Sequence, residues 1–130
     1  MQPNPTDERI LILDFGGQYT RLIARRIREC RVYCEIVPPD VRAATIAGDG
    51  SVRGIVLSGG PNSAYEPGAL DVDPAVFDIG VPVLGICYGH QLIAKRFGGL
   101  VRPAASREYG RAELVVTGSD PLLDGLESPL

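Results

Sequence analysis

Apolar and polar residues alternate along the chain in a pattern that predicts strands separated by helices. Three dense aliphatic runs have the length of strands: RILILDF at residues 9–15, RGIVLS at 53–58 and VPVLGIC at 81–87. Continuous runs of this kind are typical of strands buried on both faces of a parallel sheet. The alternating stretch VYCEIV at residues 32–37 predicts another strand, which a proline pair ends.

Two segments between these runs have the periodicity of helices. In residues 18–31 the apolar positions recur at helical spacing, which predicts one buried face formed by Tyr19, Leu22, Ile23, Ile27 and Cys30. The other faces of this segment carry mostly arginines, at Arg21, Arg25, Arg26, Arg28 and Arg31. A phosphate-binding stripe would use such arginines, but a solvated helix face explains them more simply. A second helix is predicted from about Tyr88 to Phe97, with the two following glycines as its C-terminal cap.

The remaining segments complete the alternation. Residues 40–51 are predicted to be a polar connection, and residues 61–73 a loop with one helical turn before the short apolar piece at 74–80. A further strand is predicted near Ala112 to Thr117. Because strands and helices alternate, the fold class is α/β, an open, mostly parallel sheet with helices on both faces.

Sheets of this kind place their sites at the carboxyl ends of the strands, which here are residues 14–17, 58–60 and 87. We therefore expect the strands near residues 9–14, 53–58 and 82–86 to be parallel neighbours in one sheet, with Gly60 and Cys87 close together at one edge.

Length and composition limit the class of protein. The 130 residues correspond to a single domain, and 45% hydrophobic with 22% charged residues exclude a disordered chain. The net charge of -3 argues against a nucleic-acid binder, and no apolar run is long enough to cross a membrane. The opening MQPNPTDER lacks the basic and apolar regions of a signal peptide. We therefore expect a soluble, cytoplasmic protein that binds neither nucleic acid nor membranes.

The three cysteines are an odd number in a chain without an export signal, which argues against a disulfide framework. Cys30 and Cys34 are too few for a zinc site, because the only histidine, His90, is far from them in sequence. We predict that Cys30 and Cys34 are buried thiols and that the chain binds no metal.

The third cysteine, Cys87, stands where a predicted strand turns directly into a helix. Gly85 and Gly89 flank it, and their missing side chains leave room for a strained corner that projects Cys87 above the sheet. The N-terminal end of the helix favours the thiolate, and N–H groups of Tyr88 and of the glycine pair after Ser58 would stabilise an oxyanion. These features predict acyl transfer. The alternative is that Gly-x-Cys-x-Gly only packs a core and that the glycine pair forms an ordinary turn.

Several motifs resemble those of a known family. GICYGHQ at residues 85–91 resembles the nucleophile motif of class I glutamine amidotransferases, and LSGGP at 57–61 resembles their oxyanion loop. ILDFGGQYTRLIARRIRE at 12–29, VYCEIVPPD at 32–40 and REYGRAEL at 107–114 resemble the amidotransferase domains of GMP synthases. The resemblance implies a flavodoxin-like fold and extends over nearly the whole chain.

The resemblance also implies a reaction. Cys87 would attack the side-chain amide of glutamine, giving a glutamyl thioester and ammonia, and hydrolysis would release glutamate. Gly60 and Tyr88 would supply the N–H groups of the oxyanion hole, and Gln91 would help to hold the substrate. The ammonia would pass to an ATP pyrophosphatase (synthetase) domain or subunit, which uses ATP and Mg²⁺ to convert XMP to GMP. The chain itself would bind no cofactor, and the full-length protein would be a homodimer.

The general base of the family is a histidine, oriented by a glutamate in an HPE motif downstream of the nucleophile. These 130 residues contain no such motif, and His90 is expected to lie on the helix surface or behind the site. The resemblance therefore implies a single amidotransferase domain over residues 1–130 that is truncated at its C-terminal side, lacks the synthetase domain and is inactive alone.

Two other hypotheses remain open. One is the glutaminase subunit of an anthranilate or aminodeoxychorismate synthase; such subunits share the cysteine corner but do not usually carry the DFGGQYT opening or REYGRAEL. The other is a non-catalytic interaction domain that keeps the fold without the chemistry. The intact Cys87, Gly60 and Gln91 argue against the second of these.

Overall fold

Four short parallel strands form the centre of the molecule. The computed structural model describes residues 8–60, 71–101, 113–115, 117–118 and 120–126. Its strands and α-helices are, in chain order, β1 (Arg9–Leu13), α1 (Thr20–Glu29), β2 (Tyr33–Val37), α2 (Ala43–Ala47), β3 (Val52–Leu57), β4 (Val83–Gly85) and α3 (Tyr88–Arg96). Two 3₁₀ helices add Pro74–Asp78 and Pro121–Leu123.

The strand order is β2-β1-β3-β4, and every neighbouring pair is parallel. This confirms the predicted α/β class. It also confirms that the strands near residues 9–14, 53–58 and 82–86 are parallel neighbours in one sheet. The order reverses direction between β1 and β3, since β1 is followed in the chain by β2 on one side and later by β3 on the other. Ligands of open α/β sheets bind beside such a reversal, outside the carboxyl ends of the strands.

Helices cover both faces of the sheet, as predicted. On one face Ile12 and Val56 pack with Ala24 of α1 and with Cys34. On the other face lies the larger core, formed by alternate strand residues and by α2, α3 and the first 3₁₀ helix, with Leu13, Ile46, Leu57, Val76 and Leu92 among its members. Neighbouring residues of β1 and β3 point to opposite faces, which explains why residues 10–13 and 55–57 are apolar at every position.

Helix α1 is shorter than the predicted segment 18–31, and its buried face differs from the prediction. Tyr19 precedes the helix and is 64% exposed, Leu22 is 40% exposed, and Cys30 follows the last helical residue and is exposed. The side chains that are fully buried in α1 belong to Thr20 and Ala24. The prediction of buried Tyr19, Leu22 and Cys30 was therefore wrong: Tyr19 and Cys30 lie just outside the helix, and Leu22 lies on a side of α1 that faces an open groove.

Leu22 and Cys30 instead line an open apolar groove of about 1110 Å³ beside β3 and β4. The arginines of this segment are all exposed, which confirms that they form a solvated face; they are Arg21, Arg25, Arg26, Arg28 and Arg31.

Helix α2 lies in the segment predicted to be a polar connection. A distant residue explains why it forms: the Asp73 carboxylate accepts hydrogen bonds from the N–H of Ala43 at 2.9 Å and from that of Ala75 at 3.1 Å. The side chain thus caps the first turns of α2 and of the 3₁₀ helix that follows it. These two hydrogen bonds lower the pKa of Asp73. Because Ala43 and Asp73 are 30 residues apart, no local pattern predicts this cap.

The C-terminal cap of α3 agrees with the prediction. The N–H of Gly98 donates to Lys95 O at 3.3 Å and that of Gly99 to Ala94 O at 2.6 Å, and Gly98 has a φ of 84°. This is the Schellman arrangement, in which a left-handed residue ends a helix.

The strand predicted near Ala112 to Thr117 is not present at the positions that the structure describes. Residues 113–115 and 117 have no regular structure and pair with no strand, whereas Ala112 and Val116 lie outside the described residues. Most of the predicted loop at 61–73 also lies outside them. In the described parts of the chain, every helix is too short or too polar to cross a membrane.

A charged network joins the amino ends of the strands. The guanidinium of Arg9 donates to Glu35 at 2.7 Å, to Ser51 Oγ at 2.8 Å and to Asp49. Ser51 Oγ in turn donates to Asp49 at 2.6 Å, and the hydroxyl of Tyr33 donates to Glu35 at 3.0 Å. The network connects β1, β2 and the segment before β3 at the edge of the sheet opposite to Cys87.

Candidate active site

Cys87 occupies the strained corner that the sequence predicts. Its φ and ψ are 54° and −113°, values that residues with a side chain rarely adopt, and α3 begins at the next residue. The side chain is exposed. Cys87 thus lies at the N-terminal end of a nine-residue helix, where the partial positive charge of the backbone favours an anion. This is the geometry of a nucleophile elbow with a thiol.

The glycines beside Cys87 are required by close backbone contacts. A Cβ atom on Gly85 would lie 2.6 Å from the carbonyl oxygen of Gly89, and one on Gly89 would overlap the carbonyl group of Leu57. The main chain holds these segments together, since the N–H of Gly89 donates to Ser58 O at 3.2 Å and that of Ile86 to Leu57 O at 2.9 Å. The first turn of α3 therefore packs directly on the end of β3.

The glycine pair after β3 lies beside the thiol. A Cβ atom on Gly59 would be 3.2 Å from Cys87 Cβ and 3.8 Å from its Sγ. Gly59, Gly60 and Cys87 line one cavity of about 230 Å³ at the carboxyl ends of the strands. This confirms the prediction that Gly60 and Cys87 lie together at one edge. Within the part of the chain that the structure describes, the N–H groups of Gly59 and Gly60 have no hydrogen-bond acceptor.

The turn after β1 forms the other wall of this cavity. The sequence marked residues 14–17 as the end of a strand, but we assigned no site residue there. Gly16, Gly17, Gln18 and Tyr19 line it together with Ile23, Ile86 and the glycine pair. The turns after β1 and β3 touch through their backbones: a Cβ atom on Gly17 would overlap the carbonyl of Gly59, and one on Gly60 would lie 2.6 Å from Phe15 O. The sequence signal was a glycine pair at the end of each strand.

The hydroxyl of Ser58 connects the turns after β1 and β3 through hydrogen bonds. Ser58 is completely buried, and its Oγ donates to Leu13 O at 2.9 Å and accepts from the N–H of Phe15 at 3.3 Å. Thr20 Oγ1, also buried, donates to Ser58 Oγ at 3.2 Å. The backbone of Ser58 binds on both sides, with its N–H on Leu13 O at 3.2 Å and its carbonyl on the N–H of Gly89. The sequence marked residues 58–60 as a strand end near the site, but it gave no role to the Ser58 hydroxyl and did not single out Thr20.

The comparisons with known proteins agree with this geometry. The sequence pattern of the family described as glutamine amidotransferase class-I matches residues 11–130. The chain belongs to this family.

Individual relatives with similar sequences are named as GMP synthases. A "GMP synthase [glutamine-hydrolyzing]" from Caldanaerobacter subterraneus is 57% identical over 120 residues, which are 92% of this chain and 23% of that protein. One from Natranaerobius thermophilus is 52% identical over 123 residues, 95% of this chain and 24% of that protein. The amidotransferase chain thus spans about a quarter of the length of the curated relatives that it matches.

A solved structure has the same fold. It is a crystal structure from Thermoplasma acidophilum, provisionally described as that of a GMP synthase subunit, with a TM-score of 0.78 and 36% sequence identity. The match covers 95% of this amidotransferase chain and 61% of that chain.

The structure places the other predicted site residues on α3. Tyr88 is buried, and its ring packs against that of Phe15 with centroids 5.3 Å apart, so any part in oxyanion binding falls to its backbone. Gln91 is half-buried, and its N–H donates to Cys87 O at 3.2 Å. His90 is exposed on α3 and does not line the cavity beside Cys87. The roles that the resemblance gives to Gly60, Tyr88 and Gln91 stay predictions.

The two other cysteines differ from each other. Cys34 is fully buried, as predicted, and its thiol lies 3.4 Å from Ala24 O. Cys30 is exposed at the C-terminal end of α1, so the prediction of a buried thiol was wrong at this position. Its position as the cap residue, one place beyond the last helical turn, explains the difference.

Proposed function

We propose that this chain is the glutaminase part of a GMP synthase, in which Cys87 hydrolyses glutamine through a thioester. The observation that carries this proposal is the strained Cys87 at the start of α3, beside a glycine pair whose N–H groups have no acceptor among the described residues. The names of the relatives favour a GMP synthase over the anthranilate and aminodeoxychorismate enzymes.

In the proposed reaction, Cys87 Sγ attacks the side-chain carbonyl carbon of glutamine. The carbonyl π electrons move to oxygen, and the N–H groups of Gly60 and Tyr88 stabilise the resulting anion. The C–N bond then breaks, ammonia leaves with a proton from a general acid, and a glutamyl thioester remains on Cys87. Water hydrolyses this thioester to glutamate. Gln91 helps to hold the substrate.

This sequence needs a group that takes the thiol proton and gives one to ammonia. His90 is the only histidine among the 130 residues, and it is exposed outside the cavity. We propose that a histidine elsewhere in the protein that carries this chain, oriented by a glutamate, performs this step. The fold without that pair would hydrolyse glutamine negligibly, because positioned acid-base catalysis contributes about 10² to 10⁴-fold.

The ammonia would be consumed by a synthetase domain or subunit. The relatives are about four times as long as the matched region, and their names describe a glutamine-hydrolysing GMP synthase. We propose that the partner is an ATP pyrophosphatase, which activates XMP with ATP and Mg²⁺ and aminates it to GMP in the cytoplasm.

The first test compares two nitrogen sources in the protein that carries this chain. We expect Cys87→Ala to lower glutamate release and glutamine-dependent GMP formation by about 10³-fold or more, because it removes the nucleophile. GMP formation from added ammonia should stay within about twofold of the parent, because ammonia bypasses the thioester. Glutamate release and GMP formation are measured separately.

Two variants serve as controls in the same assays. Cys30→Ala removes the other exposed thiol and should leave both activities unchanged. His90→Ala should also retain glutamine turnover, since its side chain lies outside the cavity. Full glutamine turnover by Cys87→Ala would overturn the proposal, and loss of turnover in His90→Ala would make His90 the base.

A further inference from the structure

Ser58 binds each of the three segments that form the candidate active site. Its Oγ contacts Leu13 O and the N–H of Phe15 in the first segment, which leads out of β1. Its carbonyl accepts from the N–H of Gly89 in the second, the first turn of α3. The third segment is the glycine pair that follows Ser58 directly, and its Gly59 packs on Cys87. A shift of Ser58 therefore changes the distance between the glycine pair and the thiol.

Thr20 closes this network from the start of α1. Its hydroxyl has one proton and three acceptors within reach: Ser58 Oγ at 3.2 Å, Asp14 Oδ1 at 3.2 Å and Gly17 O at 3.4 Å. Asp14 Oδ1 also accepts the N–H of Gly16 at 2.8 Å. Every acceptor belongs to the turn after β1 or to Ser58, so the Thr20 hydroxyl ties this turn to the glycine pair.

We infer that Thr20 and Ser58 are positioning residues that set the oxyanion N–H groups of the turn after β3 against Cys87. This inference rests on the glutaminase activity proposed above. Neither hydroxyl lines the cavity beside Cys87, so both act through the backbone of Gly59 and Gly60 rather than on the substrate. Two buried hydroxyl groups lie where an apolar pair would pack the core without needing hydrogen-bond partners.

The expected kinetic effect follows from when an oxyanion forms. Donors to the oxyanion act mainly in the transition state, so displacing them lowers kcat and leaves KM nearly unchanged. A displacement of the order of 1 Å costs about 10²-fold in rate. Alkylation of Cys87 by iodoacetamide is a displacement at a saturated carbon and forms no oxyanion. Its rate reports the thiol and the fold, but not the oxyanion donors.

The experiment uses the protein that carries this chain and measures glutamate release and the alkylation rate of Cys87 in parallel. Thr20→Val removes the hydroxyl with little change of shape, Thr20→Ser restores it, and Ser58→Ala removes the second hydroxyl. We expect Thr20→Val and Ser58→Ala to lower kcat by about 10 to 100-fold, with KM for glutamine within about threefold. Alkylation of Cys87 should stay within about twofold, and Thr20→Ser should recover most of kcat.

Ser51→Ala is the matched control. Ser51 precedes β3 as Ser58 follows it, and its hydroxyl is also hydrogen-bonded, to Asp49 and Arg9, but at the opposite edge of the sheet. The Ser51→Ala substitution should lower thermal stability without changing kcat. If Ser58→Ala fails to fold, the isosteric Thr20→Val and its Thr20→Ser rescue still decide the question.

Three outcomes overturn the inference. One is a kcat like that of the parent in both Thr20→Val and Ser58→Ala. Another is a parallel loss of kcat and Cys87 alkylation that Thr20→Ser does not recover, which indicates general destabilisation. The third is a kcat loss in Ser51→Ala as large as in Ser58→Ala. Turnover that survives Cys87→Ala instead removes the glutaminase proposal itself, so the two failures are distinguishable.

Discussion

The two ends of strand β3 each carry a serine, and the networks around them differ in kind. At the amino end, Ser51 joins a network of long charged side chains, with Arg9 18% exposed and Glu35 and Asp49 each 34% exposed. At the carboxyl end, Ser58 is 0% exposed and bonds mainly to backbone groups of other segments. One network joins side chains that reach solvent, and the other fixes the main chain.

This difference matches what each edge has to do. Long side chains such as that of Arg9 adjust their rotamers when a neighbour moves, so a charged network stabilises the sheet without demanding an accurate geometry. A buried hydroxyl on backbone groups has no such freedom, and any displacement passes to the glycines beside Cys87. We therefore expect small changes at the carboxyl edge to alter catalysis and comparable changes at the amino edge to alter stability alone.

A pair of glycine variants gives the largest contrast between the edges. In Gly89→Ala the new methyl group would overlap the carbonyl of Leu57, which is backbone and cannot move aside. The start of α3 must shift away from β3, carrying Cys87 with it. We expect glutamine turnover to fall by about 10²-fold or more and the free energy of unfolding by about 1–3 kcal/mol. Glutamate release and thermal unfolding measure the two effects.

Gly50→Ala is the matched change at the amino edge. Nothing lies within 4 Å of the added Cβ, and the backbone of Gly50 is not in the left-handed region. Turnover should be unchanged, and the protein should gain about 0.4–1 kcal/mol because alanine restricts the unfolded chain. Equal losses of turnover in the two variants would break the distinction between the edges.

The reactivity of the three cysteines gives a smaller contrast. We expect limiting iodoacetamide to label Cys87 first, because its side chain is exposed at the N-terminal end of a helix, where reactive cysteines are typically found. Cys30 is exposed but lies at a helix C-terminus, where the dipole opposes an anion, and Cys34 is fully buried and should react last. Mass spectrometry of the labelled peptides gives the order.

The same labelling in concentrated urea is the control, since the three thiols should then react at similar rates. Preferential labelling of Cys30 or Cys34 in the folded protein would count against a poised nucleophile at Cys87.

The smallest expected effect concerns the charged network. Hydrogen bonds from the Ser51 side chain and backbone, together with Arg9, lower the pKa of Asp49 below its ordinary value near 3.8. An acid with a lowered pKa in the folded state contributes stability above its unfolded pKa, and this is lost as the pH falls through the folded pKa. Asp49→Asn should lower Tm at pH 7 by about 2–5 °C and leave kcat unchanged. The difference in Tm between this variant and the parent should shrink as the pH falls below 3.8 and through the lowered pKa of Asp49.

Thermal melts between pH 7 and pH 2.5 test this prediction, with Asp40→Asn as the control, because Asp40 is exposed and outside the network. A constant difference in Tm between Asp49→Asn and the parent across this pH range would contradict it.

The strands and the corner at Cys87 could be predicted because their causes are local. A continuous apolar run such as ILIL must be buried on both faces, and a cysteine between Gly85 and Gly89 at the end of such a run leaves few other conformations. The edge at which Gly60 and Cys87 meet followed from the rule for parallel sheets. These predictions needed no knowledge of contacts between distant residues.

The parts that could not be predicted depend on distant partners. Helix α2 is capped by Asp73, and Ser58 is bound by Thr20, 38 residues away. One signal for Thr20 was present: it lies one turn before Ala24, so both belong to the same narrow face of α1. The periodicity instead favoured the larger side chains of Tyr19 and Leu22, but Tyr19 lies outside the helix and Leu22 lines an open groove, so both are exposed. The strand predicted near Ala112 to Thr117 had an apolar pattern but no observed pairing at the positions described.

The corner at Cys87 is held by main-chain contacts of its neighbours, namely Gly85 on Gly89 and Gly89 on Leu57. None of these contacts involves the sulfur atom. The shape of the corner therefore does not depend on the identity of its nucleophile. A substitution of Cys87 changes the chemistry without changing the fold. A corner of this kind can carry a thiol in one protein and a hydroxyl in another, and nucleophile elbows with a serine are the example of the second case. A single substitution can exchange the reacting atom, whereas a side chain on either glycine would meet the main chain of a neighbouring segment.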